Sequence, residues 1–206
     1  MIAIIDYGVG NLFSLTCSLK AVGADVIVTG KKEDLEKADK LILPGVGAFE
    51  DAAEKLFSSG LADVVLEQAE KGKPLMGICL GMQMLFEKSY EYGEHKGLGL
   101  LKGNVVAMEG RIPPELSIPH IGWNALSFKK DSSLFKYIKD GDCVYFVHSY
   151  FAFDCDDSVT ATAEYGAEIT ACVEKDNIFG CQFHPEKSGD VGLKILKAFC
   201  EMGERE

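Results

Sequence analysis

The chain has 206 residues, 47% of them hydrophobic and 26% charged, with 22 glycines and 6 prolines. That balance supports a compact hydrophobic core and excludes a disordered or fibrous chain. A formal net charge of −11 repels phosphate backbones, so no nucleic-acid partner is expected, although a local basic pocket remains open.

No apolar run reaches the ~18 residues of a membrane span, so no membrane partner is expected. The opening Met1-Ile2-Ala3-Ile4-Ile5-Asp6 has no basic start and no small-residue cleavage site, and reads as a first strand rather than a signal peptide. The turn Gly8-Val9-Gly10-Asn11 follows, with Asn11 as helix cap. Leu12, Leu15, Leu19 and Val22 have helical spacing, and Gly23 stops that helix. Val26 to Val28 is a second strand, Lys32 to Ala38 a short helix, and Leu41 to Leu43 a third strand ending at Pro44-Gly45-Val46-Gly47. Leu56 to Ala69 is helical with a break near Ser58-Ser59-Gly60. Pro74 to Ile78 is a fourth strand, running into Cys79 and a helix through Phe86. Continuous apolar strands alternating with helices imply a mostly parallel sheet flanked by helices, an α/β fold.

From Gly97 the pattern becomes strand-rich. Val105-Val106, Ala125-Leu126, Val144 to Val147, Thr160 to Thr162, Ile169 to Val173 and Ile178 to Phe183 are strand candidates, and Val191 to Phe199 closes with a helix. The charged stretch Glu87 to Lys96 reads as a solvated loop. With no repeat and no linker, the expectation is one domain over 1–206, with a smaller antiparallel extension in the second half.

Seven cysteines, none closer than nine residues to another, give no CxxC pair, and no metal site is expected. They are expected to be reduced thiols in a cytoplasmic setting, most of them packing residues. Cys79 stands apart. Gly77-Ile78-Cys79-Leu80-Gly81 has the form G-x-C-x-G, the cysteine version of a nucleophile elbow. A sharp strand-to-helix turn presents the sulfur at a helix N-terminus, where free N–H groups favour negative charge, and the Leu80 N–H can face a developing oxyanion. Taken alone, the pentapeptide also fits a tightly packed junction with a buried cysteine.

A cysteine nucleophile needs a base. Phe183-His184-Pro185-Glu186 follows another apolar strand and offers His184, with Glu186 two positions on to orient the imidazole. A loop histidine beside a solvated glutamate is the plainer alternative. Pro44-Gly45-Val46-Gly47, again after an apolar strand, can aim backbone N–H groups inward as an oxyanion hole or serve as an ordinary turn. All three segments would emerge at the carboxyl edge of the sheet, where sites of such folds gather.

Strand-PGxG, strand-GxCxG and HPE, in that order, resemble class I (triad) glutamine amidotransferases, whose fold is flavodoxin-like. The similarity extends to Asp6-Tyr7-Gly8-Val9-Gly10-Asn11, Pro44 to Phe49, Gly77 to Gln83, Gly122-Trp123-Asn124, Tyr145 to Tyr150 and Gln182 to Ser188. The resemblance implies hydrolysis of glutamine by a Cys79, His184 and Glu186 triad without a cofactor. It implies an oxyanion hole at Val46, Gly47 and Leu80, and substrate contacts at Gly45, Gln83, Ser149 and Tyr150. Within the family, the finer motifs resemble members that form a heterodimer with a (β/α)8-barrel cyclase subunit and pass it ammonia, which implies partner contacts at Trp123, Tyr145 and Lys187.

Many relatives read P-G-G where this chain reads Pro44-Gly45-Val46-Gly47. Because a β-branched residue resists positive φ, the expectation is a Val46–Gly47 peptide resting with its N–H turned away, flipped when partner and acceptor bind. A related Cys-His hydrolase, a non-catalytic subunit and a paralogous glutaminase with another ammonia acceptor remain open on the sequence alone.

Overall fold

The computed structural model describes residues 1–203. In chain order the elements are β1 (Ile2–Ile5), α1 (Leu12–Ala21), β2 (Val26–Thr29), α2 (Lys32–Lys37), β3 (Lys40–Leu43), α3 (Phe49–Ser58), α4 (Leu61–Glu70) and β4 (Leu75–Ile78). Next come α5 (Leu80–Gln83), β5 (Phe86–Ser89), β6 (His95–Lys96), β7 (Leu101–Ala107), β8 (His120–Phe128), β9 (Cys143–His148) and β10 (Tyr150–Phe153). The chain closes with β11 (Val159–Glu164), β12 (Glu168–Lys175), β13 (Ile178–Cys181) and α6 (Gly189–Cys200).

Nine strands form one sheet in the order β2-β1-β3-β4-β13-β12-β11-β8-β9. The first five are parallel, in the doubly wound order of a flavodoxin-like sheet, and the last four continue it antiparallel. The apolar runs of β1, β3, β4 and β13 are buried at every residue, as a sheet covered on both faces requires. Alternation along β1 sorts the core: Ala3 and Ile5 pack with Phe49, Leu56 and Val65 of α3 and α4. Ile2 and Ile4 pack with Leu15 and Leu19 of α1 and Leu196 and Phe199 of α6 on the other face. Among the described residues no helix is long and apolar enough to cross a membrane.

Four expectations need correction. The helix expected from Leu56 begins at Phe49, as α3, and α4 follows Gly60. The helix after Cys79 ends at Gln83 rather than Phe86, because tertiary pairing captures the chain: Leu98 and Leu101 donate to the carbonyls of Met84 and Leu85, and Phe86 pairs with Leu101. The charged stretch 87–96 is not a simple solvated loop, since it carries part of β5 and all of β6, and Ser89 is fully buried. The final strand candidate stops at Cys181, which leaves Gln182 and Phe183 to lead into the His184 turn. A second, four-stranded sheet, β10-β7-β5-β6, also forms; the chain steps into it at Ser149, between β9 and β10.

Candidate active site

The carboxyl ends of β3, β4 and β13 lie side by side and carry Pro44 to Gly47, Cys79 and His184 respectively. Cys79 sits between β4 and α5 with φ 54° and ψ −111°, a left-handed conformation that costs a non-glycine residue about 1–3 kcal/mol. The bend is clamped on both sides: Cys79 N donates to Cys181 O at 2.8 Å, and Cys79 O accepts from Gln83 N at 3.1 Å. The flanking glycines are a steric necessity. A β-carbon on Gly77 would lie 2.6 Å from Gly81 O and Met82 Cα, and one on Gly45 would lie 2.6 Å from Gly81 N. The β3 turn and the first turn of α5 therefore share one tightly filled space. Tyr7, buried beneath them, donates to Pro44 O at 2.7 Å, and burial pushes its phenol well above the usual range, with the nearby Cys79 adding to the shift.

His184 follows β13, and its N donates to Tyr145 O of β9 at 3.0 Å. Ser188 staples this turn, donating to His184 O at 2.7 Å and accepting from Tyr145 N at 3.0 Å. Imidazole Nδ1 lies 2.8 Å from Glu186 Oε1, with both side chains 3% exposed. A carboxylate only accepts, so Nδ1 carries the proton and Nε2 is left for the thiol. Burial opposes the imidazolium, but hydrogen bonds and charge interactions with Cys79 and Glu186 outweigh it and raise the His184 pKa to about 9.

Cys79 and His184 open into one cavity of about 390 Å³, lined also by Val46, Gly47, Leu80, Gln83, Ser149, Tyr150 and Lys187. Gly45 lies beneath this cavity against α5, and Glu186 behind His184. Trp123 and Tyr145 do not line it. They face each other across β8 and β9 with ring centroids 5.9 Å apart, and Trp123 is 55% exposed. Ile121, two residues before Trp123 on β8, extends that exposed apolar face. The positive φ in the β3 turn falls on Gly47, at 93°, and not on Val46.

Residues without a predicted role also enter the site, Val147 among them. Glu91 lines the cavity and accepts from Phe49 N, at the start of α3, at 2.7 Å; burial raises its pKa. Its sequence signal was lost among neighbouring charges. Pro119 and His148 also line the cavity. His148 Nδ1 donates to Tyr150 O at 2.9 Å, and burial lowers its pKa to about 4, so this imidazole is neutral near pH 7. Gln182, fully buried, reaches Cys79 Sγ with Nε2 at 3.7 Å. A larger hollow of about 790 Å³ lies at the opposite, amino-terminal edge of the parallel strands, lined by Met1, Asp25, Lys40 and Pro74, far from this chemistry. Among the described residues no group of three His, Cys, Asp or Glu side chains converges as a metal site.

The family model for glutamine amidotransferase class-I matches residues 3–202. The imidazole glycerol phosphate synthase subunit HisH of Caldanaerobacter subterraneus subsp. tengcongensis is 54% identical over 203 residues, 98% of each chain. The HisH subunit of Aquifex aeolicus is 50% identical over 204 residues, 98% of this chain and 97% of that one. A crystal structure of a glutamine amidotransferase matches with TM-score 0.74 at 21% identity, covering 96% of this chain and 98% of that one. PurLQS from Thermotoga maritima matches with TM-score 0.72 at 23% identity, covering 96% of both. At such identities the structural likeness shows the shared fold.

Proposed function

The chain belongs to the class-I glutamine amidotransferase family, and on that premise we propose that it is the glutaminase subunit of an imidazole glycerol phosphate synthase. The observation that carries the reading is a single cavity that joins the Cys79 elbow to an imidazole held by a buried carboxylate. In the reaction, Cys79 Sγ attacks the carboxamide carbon of glutamine while His184 Nε2 takes the thiol proton. The oxyanion is met by the Leu80 N–H and by backbone at Val46 and Gly47. His184 returns the proton to the departing nitrogen, releasing ammonia and leaving a glutamyl thioester. Water activated by His184 then hydrolyses the thioester to glutamate and restores the thiol.

Glu91 supplies a negative charge for the α-ammonium group of the substrate. Ser149, Tyr150 and the remaining Oε1 of Gln83 make polar contacts at the same end. Ammonia passes to a (β/α)8-barrel cyclase subunit docked on the face bearing Trp123, Tyr145 and Lys187. There it is incorporated to give imidazole glycerol phosphate and an aminoimidazole carboxamide ribonucleotide. The exposed Trp123, the half-buried Tyr145 and the exposed cation of Lys187 suit such an interface.

The test is Cys79→Ala in the complex with the cyclase subunit. Glutamine-dependent synthesis is abolished and ammonia-dependent synthesis persists. Glutamine-dependent turnover by this variant would overturn the assignment.

A further inference from the structure

A directional chain of hydrogen bonds ends on the sulfur that the proposed reaction uses. It begins at the backbone carbonyl of Tyr150, which can only accept. Gln83 Nε2 lies 2.9 Å from that oxygen, which fixes the amino end of the Gln83 amide. The second proton on Gln83 Nε2 faces Gln182 Oε1 at 3.0 Å, which in turn fixes the Gln182 amide. Gln182 Nε2 therefore points at Cys79 Sγ, 3.7 Å away. Turning the Gln182 amide over would set two donors against each other and place an oxygen lone pair against the sulfur. The Gln182 side chain is shut off from solvent, so water cannot relieve the conflict at its amide.

We propose that Gln182 is a catalytic residue of the glutaminase reaction, donating its amide N–H to the Cys79 sulfur, with Gln83 as the positioning residue that sets the direction of that amide. The inference rests on the glutaminase reading above. When the thiol proton moves to His184 Nε2, negative charge on sulfur is met by the imidazolium on one side and the Gln182 N–H on the other. The bond is strongest for the thiolate and fades in the thioester, where sulfur has lost its charge. It therefore favours formation of the nucleophile and also the departure of sulfur during thioester hydrolysis. Tyr7 and Cys181 also stand near the sulfur, and Glu186 acts on it through His184. The Tyr7 proton is committed to Pro44 O, and Cys181 is a buried neutral thiol.

The decisive variant is Gln182→Met, of similar length but without a donor, assayed in the complex with the cyclase subunit. Ammonia-dependent synthesis reports that it folds and assembles. The expected result is a fall of about five- to tenfold in both glutamine-dependent kcat and alkylation of Cys79 by iodoacetamide at pH 7, the scale of one lost hydrogen bond. The pH profile of alkylation moves to the alkaline side, which a merely structural role would not cause. Wild-type rates with a wild-type profile would overturn the inference. Should the Met variant fail to assemble, Gln83→Met leaves Gln182 in place with its amide free to turn. Slowed alkylation with an alkaline-shifted profile then supports the inference, and an unchanged profile overturns it. An unchanged Gln182→Met beside an inactive Cys79→Ala sinks this inference alone, whereas an active Cys79→Ala sinks the glutaminase reading itself.

Discussion

Gly81 stands so close to Leu43 that a β-carbon on the glycine would overlap the Leu43 carbonyl oxygen. The turn that carries Cys79 and the strand that leads into Pro44 to Gly47 are thus in backbone contact. The expected outcome for Gly81→Ala is a loss of about 3 kcal/mol in urea denaturation, together with loss of glutaminase activity, since the overlap is with rigid backbone. Wild-type stability in this variant would mean that α5 sits farther from β3 than described.

The bond between His184 Nδ1 and Glu186 Oε1 makes a separate prediction. Glu186→Gln keeps the size of the side chain but removes the charge that holds the imidazole in one tautomer. Glutamine-dependent kcat falls by about 10³–10⁴, with little change in ammonia-dependent synthesis by the complex. A loss below tenfold would remove Glu186 from the triad.

The His184 imidazole, raised by Cys79 and by Glu186, also sets a pH dependence of stability. The folded-state pKa of His184, about 9, lies above its ordinary value of 6.5, so the native state binds the proton more tightly than the unfolded chain. Its stabilising contribution is complete below pH 6.5 and is lost as pH rises through about 9. Urea titrations across that window show a decline in the wild type, and the decline is shallower in Glu186→Gln. Equal slopes would contradict the pairing.

Gly47 carries the positive φ of the turn proposed to hold the oxyanion, and a β-carbon there would meet nothing within 4 Å. Only backbone strain therefore opposes Gly47→Ala. If the Val46–Gly47 peptide rests turned away, its reversal takes Gly47 to negative φ, which alanine prefers. Glutaminase activity of the lone subunit then rises in Gly47→Ala, measured as glutamate formed without the cyclase. A fall in that activity would mean that the resting peptide already faces the oxyanion.

Trp123 packs edge-to-face with Tyr145 and is more than half exposed. Trp123→Ala costs about 2–4 kcal/mol in association with the cyclase subunit, measured by calorimetric titration, and less than about 0.5 kcal/mol in stability of the lone chain. Unaltered association would place the interface elsewhere.

Much of the fold was legible because continuous apolar runs such as Leu41 to Leu43 have few alternatives to a doubly covered strand. The grouping of Cys79 with His184 was legible because both motifs follow such strands. Phe86 to Ser89 was misread because its strand state comes from pairing with β7, which no local pattern announces. Glu91 was missed for a related reason: its place in the cavity depends on the Phe49 N–H, distant in the chain. Gln182 lies within the motif that carries His184, but the direction of its amide depends on where two other side chains, Gln83 and Cys79, and the Tyr150 carbonyl meet.

Covalent labelling of the nucleophile is the most direct test of the proposed triad. Treat the complex with a glutamine-like electrophile and map the modified peptide by mass spectrometry while following activity. The expected result is one adduct, on Cys79, formed in step with loss of glutamine-dependent synthesis while ammonia-dependent synthesis survives. An adduct on exposed Cys17 or Cys143 that accompanies the loss, with Cys79 unmodified, would contradict it.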